Sequence, residues 1–190
     1  MHWYMSHILT VVTFLPLAGA LLLLLVNREN KRAVILGATW IAGIDFGLSL
    51  PLWFRFDTSQ GGFQFIERAP WIPAISVQYF LGIDGISLLL LLLTTFLGFI
   101  SILSSWTAIT ERVKEYYIFM LVPQTGMLGV FVSLDFFLFY VFWEAMLIPM
   151  ALLIGIWGGA RRVYASVKFF LYTMAGSVLM LVAILYVGVK

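Results

Sequence analysis

Residues 136–150 read FFLFYVFWEAMLIPM, an apolar and aromatic run interrupted by one ionisable side chain, Glu144. If a helix begins near Asp135, a rise of ~1.5 Å per residue places Glu144 ~14 Å into a hydrocarbon layer ~30 Å thick. A carboxylate at that depth costs several kcal/mol unless it is paired, hydrated or protonated. Pro149 follows and removes one helical N–H, so we expect a kink just beyond the acid. This setting indicates a proton or ion pathway; the simpler alternative is a protonated glutamate that only hydrogen-bonds a neighbouring helix.

The composition of the whole chain indicates a membrane protein. Of its 190 residues, 63% are hydrophobic and 11% are charged, and the mean hydropathy is +1.05. Few soluble folds of this length could cover so much apolar surface. The sequence has no cysteine, and its histidines, His2 and His7, both lie near the N-terminus, so we expect no metal or haem site.

Six apolar stretches are long enough to cross a bilayer as helices. We place them at about 8–26, 33–54, 82–107, 114–132, 135–157 and 168–189. The fold class is therefore predicted to be an all-α polytopic membrane protein, with residues 1–190 as a single transmembrane domain. The one long connection, 55–81, is expected to be an ordered segment on the outer face. The connection near 133–135 is so short that the fourth and fifth helices must be adjacent and antiparallel.

The positions of the Lys and Arg residues predict the orientation. They are concentrated in alternate loops, which are therefore predicted to be cytoplasmic and to leave the N-terminus outside. These residues are Arg28, Lys31, Arg32, Arg112, Lys114, Arg161, Arg162 and Lys168, whereas the opposite side carries Arg55, Arg68 and Lys190. Basic residues in short loops between apolar runs determine membrane orientation, so nucleic-acid binding is not expected despite the net charge of +2.

Three further ionisable residues are candidates for a role. Asp45 lies between Gly43 and Gly47, a spacing that allows close helix approach, and we favour a polar contact across that approach. Asp84 precedes the third helix, where a carboxylate complements the helix dipole, so we expect a cap. Lys168, at the predicted start of the sixth helix, is a second candidate for proton translocation. Its distance in depth from Glu144 argues against a direct ion pair, and snorkelling to the surface is its simpler role.

Several segments together resemble a known family. They are FLGIDGIS at 80–87, FWEAMLIPM at 142–150, LIGIWGG at 153–159 and KFFLYT at 168–173, with Arg162, Ala165, Gly176 and Ser177 around them. From about residue 65 to 185 this pattern resembles subunit M of respiratory complex I, the proton-pumping NADH:quinone oxidoreductase. The mitochondrial counterpart is subunit 4. The sister antiporter-like subunits, L and N, share a glutamate in the fifth helix but differ around it.

The resemblance implies a fold and a site. Family members have fourteen transmembrane helices in two inverted five-helix repeats, and the glutamate of the fifth helix, which Glu144 matches, pairs with a lysine of the seventh. Since the sequence stops at Lys190, before that helix, we expect it to be an N-terminal portion of the subunit. The resemblance also implies a bacterial cytoplasmic (inner) membrane, or alternatively the mitochondrial inner membrane.

The function implied by the resemblance is proton translocation coupled to quinone reduction, within a complex whose other subunits do the redox chemistry. We expect no cofactor in this chain; NADH, FMN, iron–sulfur clusters and quinone would bind partner subunits. The expected partners are complex I membrane subunits, especially L and N, and the lipid bilayer. Two alternatives stay open, a multisubunit cation/proton antiporter and a purely structural membrane subunit.

Overall fold

A computed structural model describes residues 6–75 and 77–188, which form six α-helices and one β-hairpin. His2 and Lys190 lie outside the described residues. The order along the chain is α1 (Ile8–Leu25), α2 (Lys31–Arg55), β1 (Gln64–Ile72), β2 (Val77–Ile83), α3 (Gly85–Ser104), α4 (Val113–Val132), α5 (Phe136–Trp157) and α6 (Arg162–Gly188). The predicted polytopic helical fold is confirmed.

Within the described residues, five helices are long and apolar enough to cross a membrane by length and composition: α1, α2, α3, α5 and α6. Helix α4 is as long as α3, at 20 residues, but it is less apolar, because Lys114 and Glu115 lie in its first turn and Gln124 and Thr125 near its middle. Half of its residues are buried, since α1, α2, α3 and α5 all pack against it. The fourth predicted span, 114–132, is therefore a helix, and its two central polar residues, Gln124 and Thr125, are buried against other helices.

Polar side chains begin three of the helices. Asn30 accepts the backbone N–H of Ala33, Asp84 accepts that of Ser87, and Asp135 accepts those of Phe137 and Leu138. Caps of this kind satisfy N–H groups that have no partner within the helix, and each is worth about 0.5–2 kcal/mol. The capping role predicted for Asp84 is confirmed.

The outer loop, 55–81, contains a β-hairpin, which the all-α prediction did not include. Strands β1 and β2 form an antiparallel hairpin closed by a 3₁₀ turn at Pro73–Ile75, with Ala69 opposite Tyr79 and Glu67 opposite Leu81. The register shifts between Gln64 and Glu67 and again after Pro70, so the alternation of side chains is broken twice. This irregularity hid the strands, because an uninterrupted period of two is their main sequence signal.

The hairpin is fixed to two helices at the outer end of the bundle. The backbone N–H of Leu134 donates to Phe80 O at 2.8 Å, and that of Gln78 donates to the Asp135 carboxylate at 3.2 Å. On the other side, Glu67 accepts the backbone N–H of Leu9 at 2.7 Å, at the start of α1. Glu67 therefore supplies the cap that His7, the residue preceding α1, does not provide through its own side chain.

The basic loops lie together at the opposite end of the bundle, as predicted. Lys114 Nζ donates to the carbonyls of Leu24 and Val26 at 2.7 Å, and Arg28 forms an ion pair with Glu115 at 2.8 Å. Lys31 Nζ donates to Thr110 O at 3.0 Å. We call this the inner end; that it faces the cytoplasm stays a prediction.

Two predicted helix boundaries were wrong. Helix α3 begins at Gly85 and not at 82, because the preceding residues are the end of strand β2. Helix α6 begins at Arg162 and not at 168, so Lys168 lies in the second turn and does not open the helix. The polar residues before 168 suggested a loop, but Gly158 and Gly159 alone end α5.

The buried core is shared unequally among the helices. One cluster at the inner end joins α1, α2, α3 and α4, and a second at the outer end joins all of these with β2 and with Leu138 and Phe142 of α5. The ring of Phe142 lies where a side chain on Gly129 of α4 would be, and Met146 occupies the same place at Gly126. These glycines let α4 and α5 approach closely, as expected for neighbours joined by three residues.

Candidate functional site

Glu144 lies on α5, eight residues beyond Phe136, or about 12 Å along the helix axis. The residue is half-buried, and its Oε1 atom is fully buried with no hydrogen-bond partner among the described residues. A buried carboxyl oxygen without a hydrogen-bond partner is unfavourable. Such atoms are rare unless protonation, a water molecule or another group satisfies their hydrogen-bonding capacity. The structure thus places Glu144 well inside an apolar helix with one carboxyl oxygen unsatisfied. Its role in proton translocation stays a prediction.

The contacts on either side of Glu144 show which helix it faces. Towards the inner end, Leu147 and Met150 line a cavity of about 390 Å³ with Phe169 and Thr173 of α6. Towards the outer end, Phe139 lines a cavity of about 280 Å³ with α6 residues that include Met180 and Ile184. Between these pairs, the antiparallel register places Glu144 level with Gly176 and Ser177.

Ser177 of α6, like Glu144, has a buried side-chain oxygen with unsatisfied hydrogen-bonding capacity. Its side chain is 3% exposed, and its Oγ atom is buried without a hydrogen-bond partner in the described part of the chain. Two unsatisfied oxygens, an acid on α5 and a hydroxyl on α6, therefore lie at the same depth of one interface. A hydroxyl can either donate to a carboxylate or accept from a carboxylic acid, so it suits both protonation states of Glu144.

Lys168 makes no described contact with Glu144. Its side chain is exposed, and its Nζ lies 5.9 Å from the ring centre of Tyr164 and 5.7 Å from that of Tyr172, both one turn away on the same helix. Ser166 and Thr173, which face α5, lie on a different side of α6. Lys168 instead lines an inner-end cavity of about 590 Å³ with Arg161 and Arg162. A role for Lys168 in proton translocation stays a prediction.

Asp45 is the second acid within the helices, and its surroundings differ. The residue is fully buried, and its Oδ2 atom accepts a hydrogen bond from Gln124 Nε2 on α4 at 3.0 Å. Asp45 therefore makes a polar contact between helices, as predicted, but the contact is to α4 and does not cross the approach at Gly43, which packs against Phe99 of α3. The expected role of the two glycines is confirmed at one of them: a side chain on Gly43 would contact Phe99, whereas Gly47 has open space beside it.

Gln124 is the buried polar residue that sequence reasoning missed. It is 1% exposed, and its amide packs on Gly98 of α3, where a Cβ atom would lie 2.6 Å from Oε1. Ser49, one turn beyond Asp45, makes a second polar contact, with Thr95 of α3 at 3.0 Å. Neutral polar residues are common in membrane helices, so Gln124 alone was a weak signal, and only the structure shows that it lies opposite Asp45.

The outer end carries the groups whose protonation is set by hydrogen bonds outside the membrane spans. The backbone N–H of Ser87, with help from its hydroxyl, lowers the pKa of Asp84, and the hydroxyl and N–H of Ser59 lower the pKa of Asp57. Burial raises the pKa of the Tyr79 phenol, whose oxygen lies 2.7 Å from Thr10 Oγ1. Negative charge is thus favoured on Asp84, where it caps α3, and on Asp57, where it binds the turn at Ser59, but it is disfavoured on Tyr79.

The described residues contain no group of three or more His, Cys, Asp or Glu side chains arranged to hold a metal ion. What the arrangement around Glu144 can do chemically is bind and release a proton. A carboxylate only accepts hydrogen bonds, whereas a carboxylic acid also donates one, so gain or loss of the proton changes which groups Glu144 can bind.

Comparison with known proteins gives consistent results. Residues 133–188 match the family described as NADH:quinone oxidoreductase/Mrp antiporter, TM. Over 183 residues, 94% of this chain, the sequence is 51% identical to NADH-quinone oxidoreductase subunit M of Rhodobacter capsulatus, of which it covers 35%. It is 44% identical over 173 residues to NADH-ubiquinone oxidoreductase chain 4 of Arabidopsis thaliana, covering 90% of this chain and 35% of that protein.

A solved structure has the same fold. A chain of respiratory complex I from Thermus thermophilus with bound NADH superposes with a TM-score of 0.77 and 31% identity, over 93% of this chain and 35% of that one. The present chain therefore spans about a third of the length of the relatives it matches.

Proposed function

We propose, from its confirmed resemblance to subunit M of respiratory complex I, that this chain forms part of the membrane arm of a proton-pumping NADH:quinone oxidoreductase. The relatives it matches are bacterial and mitochondrial subunits of that enzyme, and the chain is a multi-pass membrane protein of the same fold. In this proposal it takes part in moving protons across the bacterial cytoplasmic membrane or the mitochondrial inner membrane. Quinone reduction in other subunits supplies the energy.

The observation that carries this proposal is the state of Glu144. An acid near the middle of α5 has a buried oxygen without a partner, at an interface with cavities above and below it. A residue that served only to join two helices would be expected to have a complete set of hydrogen bonds, as Asp135 has at the start of the same helix. Glu144 has instead the freedom to change its partner.

The mechanism follows from the electrostatics of a buried acid. In the proposed cycle, Glu144 holds a proton while no cation is beside it. When an ammonium group approaches, the carboxylate becomes the favoured form and the proton leaves. The resemblance implies that this ammonium belongs to a lysine of a following helix.

The partners and cofactors belong to the same proposal. The chain would contact other membrane-arm subunits, with the antiporter-like L and N subunits as the specific neighbours. It would bind no cofactor itself, and NADH, FMN, iron–sulfur clusters and quinone would be bound elsewhere in the complex. The chain would contribute proton translocation, without redox chemistry of its own.

The test is the substitution Glu144→Gln in the complete complex, measured as NADH:quinone turnover and proton pumping in membranes. Glutamine keeps the shape and the hydrogen-bonding capacity but cannot release a proton. If Glu144 carries the proton switch, both activities fall together by about tenfold or more. Glu144→Asp keeps a titratable group and should retain part of the activity.

The matched control is Glu29→Gln, the same change in an exposed loop between α1 and α2. It should leave turnover and pumping unchanged, and assembly of each variant is checked by the amount of intact complex. Wild-type turnover and pumping in an assembled Glu144→Gln complex would leave Glu144 a structural residue and overturn the proposal.

One specific observation favours a second function. The matched family is described by both NADH:quinone oxidoreductase and Mrp antiporter. A cation/proton antiporter would use Glu144 in the same way but without redox partners. Purification of the chain with iron–sulfur and flavin subunits would support the oxidoreductase, and cation-dependent proton exchange in their absence would support the antiporter.

A further inference from the structure

Asp45 and Gln124 form an isolated polar pair between α2 and α4. Both side chains are almost completely buried, and Gln124 Nε2 donates to Asp45 Oδ2 at 3.0 Å. The two remaining oxygens of the pair, Asp45 Oδ1 and Gln124 Oε1, are also buried, and neither has a partner among the described residues. One carboxyl group and one amide thus leave two acceptors unsatisfied at the same place.

Among the described residues, the helices packed around Asp45 carry no positive charge near it that could neutralise a carboxylate. Helix α2 packs against α1, α3 and α4, and neither α1 nor α3 contains an ionisable residue. The ionisable residues of α4 are Lys114 and Glu115 in its first turn, which bind carbonyls of α1 and Arg28, and two tyrosines that follow. Of these, the Tyr117 hydroxyl is buried without a described partner. On α2 itself, the cations lie at the two ends.

We propose that Asp45 and Gln124 are a proton-binding site: Asp45 is a neutral carboxylic acid whose Oδ1–H donates to Gln124 Oε1, while Gln124 Nε2 donates to Asp45 Oδ2. An ionised aspartate only accepts hydrogen bonds, so it would leave both orphaned oxygens as they are. A single proton converts one of them into a donor for the other and satisfies both. The pair is then neutral, and its two side chains hydrogen-bond each other in both directions, which a water-free interior favours.

The packing around Gln124 supports a fixed pair. Gly98 of α3 leaves space that the amide fills, and a methyl group there would lie 2.6 Å from Oε1 and 2.9 Å from Nε2. The amide is therefore held between the backbone of α3 and the carboxyl group of α2. This site is distinct from Glu144, which lies on α5 and faces α6, and the proposal holds whether or not the chain belongs to a proton pump.

The experiment is infrared spectroscopy of the 190-residue chain in lipid nanodiscs at pH 7, with all aspartates labelled with ¹³C at the side-chain carboxyl. The chain contains four aspartates: Asp45, Asp57, Asp84 and Asp135. A protonated carboxyl group absorbs at a higher wavenumber than a carboxylate, and the label shifts only aspartate bands. We expect one label-sensitive band of a protonated carboxyl group at neutral pH. If every labelled aspartate absorbs as carboxylate, the proposal is wrong.

Two variants assign that band. Asp45→Asn should remove it, and Gln124→Leu should move it to higher wavenumber because the acid loses its hydrogen-bonding partner. Circular dichroism checks that each variant keeps its helices. If Asp45→Asn does not fold, the shift in Gln124→Leu still assigns the band. A band that neither variant changes belongs to another aspartate and overturns the proposal.

Discussion

Asp45 and Glu144 are both acids near the middle of apolar helices, but the two helices lie in different surroundings. Asp45 belongs to the four-helix half of the molecule, α1 to α4, where it has an amide partner and is fully buried. Glu144 belongs to the α5–α6 half, where its Oε1 has no partner and cavities lie on both sides. Buried residues make up 44% of α1 but 6% of an apolar 18-residue stretch of α6.

The difference teaches how packing assigns a role to an acid. A carboxyl group enclosed by close-packed helices, with a partner that completes it when neutral, has one protonation state available at low energy. A carboxyl group at a loosely packed interface can exchange partners, because the cavities give neighbouring side chains room to move. Burial of an acid is therefore insufficient evidence for proton transfer.

The largest expected effect comes from making the same chemical change at both acids. In the complete complex, Glu144→Gln should reduce NADH:quinone turnover about tenfold or more, since the titratable proton is lost. Asp45→Asn should leave turnover close to the wild-type value, because an amide pair keeps the neutral contact with Gln124. Equal losses in two fully assembled variants would contradict the distinction between the halves.

The seam between the halves can be tested by filling a glycine. Gly129→Ala would force a methyl group into the ring of Phe142, so the chain should unfold at lower denaturant, with a loss of about 1–3 kcal/mol. The control is Gly176→Ala on α6, where nothing lies within 4 Å of the added atom. That variant should be neutral or slightly more stable, because alanine favours a helix. Equal destabilisation by both would mean that α6 is packed as closely as α4.

The hairpin connects the two halves at the outer end, and Glu67 is its main contact with α1. Glu67→Ala removes the acceptor for the N–H groups of Leu9 and Thr10, so we expect a loss of about 0.5–2 kcal/mol of unfolding free energy. Hydrogen exchange should rise in the first turn of α1 and stay unchanged in α6. Glu29→Ala, an exposed acid in the inner loop, is the control and should have no effect.

The smallest effect concerns pH at the start of α3. The pKa of Asp84 is lowered by the backbone N–H of Ser87, so the ionised form is bound more tightly in the folded state. Its stabilisation is fully present above the pKa of the unfolded chain, about 3.9, and is lost as pH falls through the lower folded value. Asp84→Asn should flatten this part of the stability curve below about pH 4. An unchanged acid slope would show that Asp84 does not contribute.

Helices and caps could be predicted from the sequence because their signals are local. Apolar runs fixed all six helices to within a few residues except at the start of α6, where Arg162 and its neighbours were taken for a loop. Asp84 precedes a long apolar run, so its capping role was evident. The basic loops lie at one end because they are alternate connections between successive helices, and their side chains bind carbonyls there.

The contacts that depend on two distant segments could not be predicted in the same way. Gln124 contacts Asp45 across 79 positions of sequence, and nothing local to either residue specifies the other. The hairpin was missed because proline and a register shift interrupt its alternation. Likewise, Ser177 becomes notable only when α6 is aligned with α5. Sequence alone identified Glu144 as unusual, but the cavities that distinguish it from Asp45 require the packed helices.

The cap on α1 comes from a residue 58 positions later in the chain, and this has a consequence for biogenesis. In the predicted orientation, α1 is synthesised well before Glu67 crosses the bilayer, so the N–H groups of Leu9 and Thr10 can bind only water at first. Until β1 arrives, that terminus can be hydrated and frayed. The hairpin would therefore cap the first helix only after α2 has been inserted and the loop that follows α2 has been translocated.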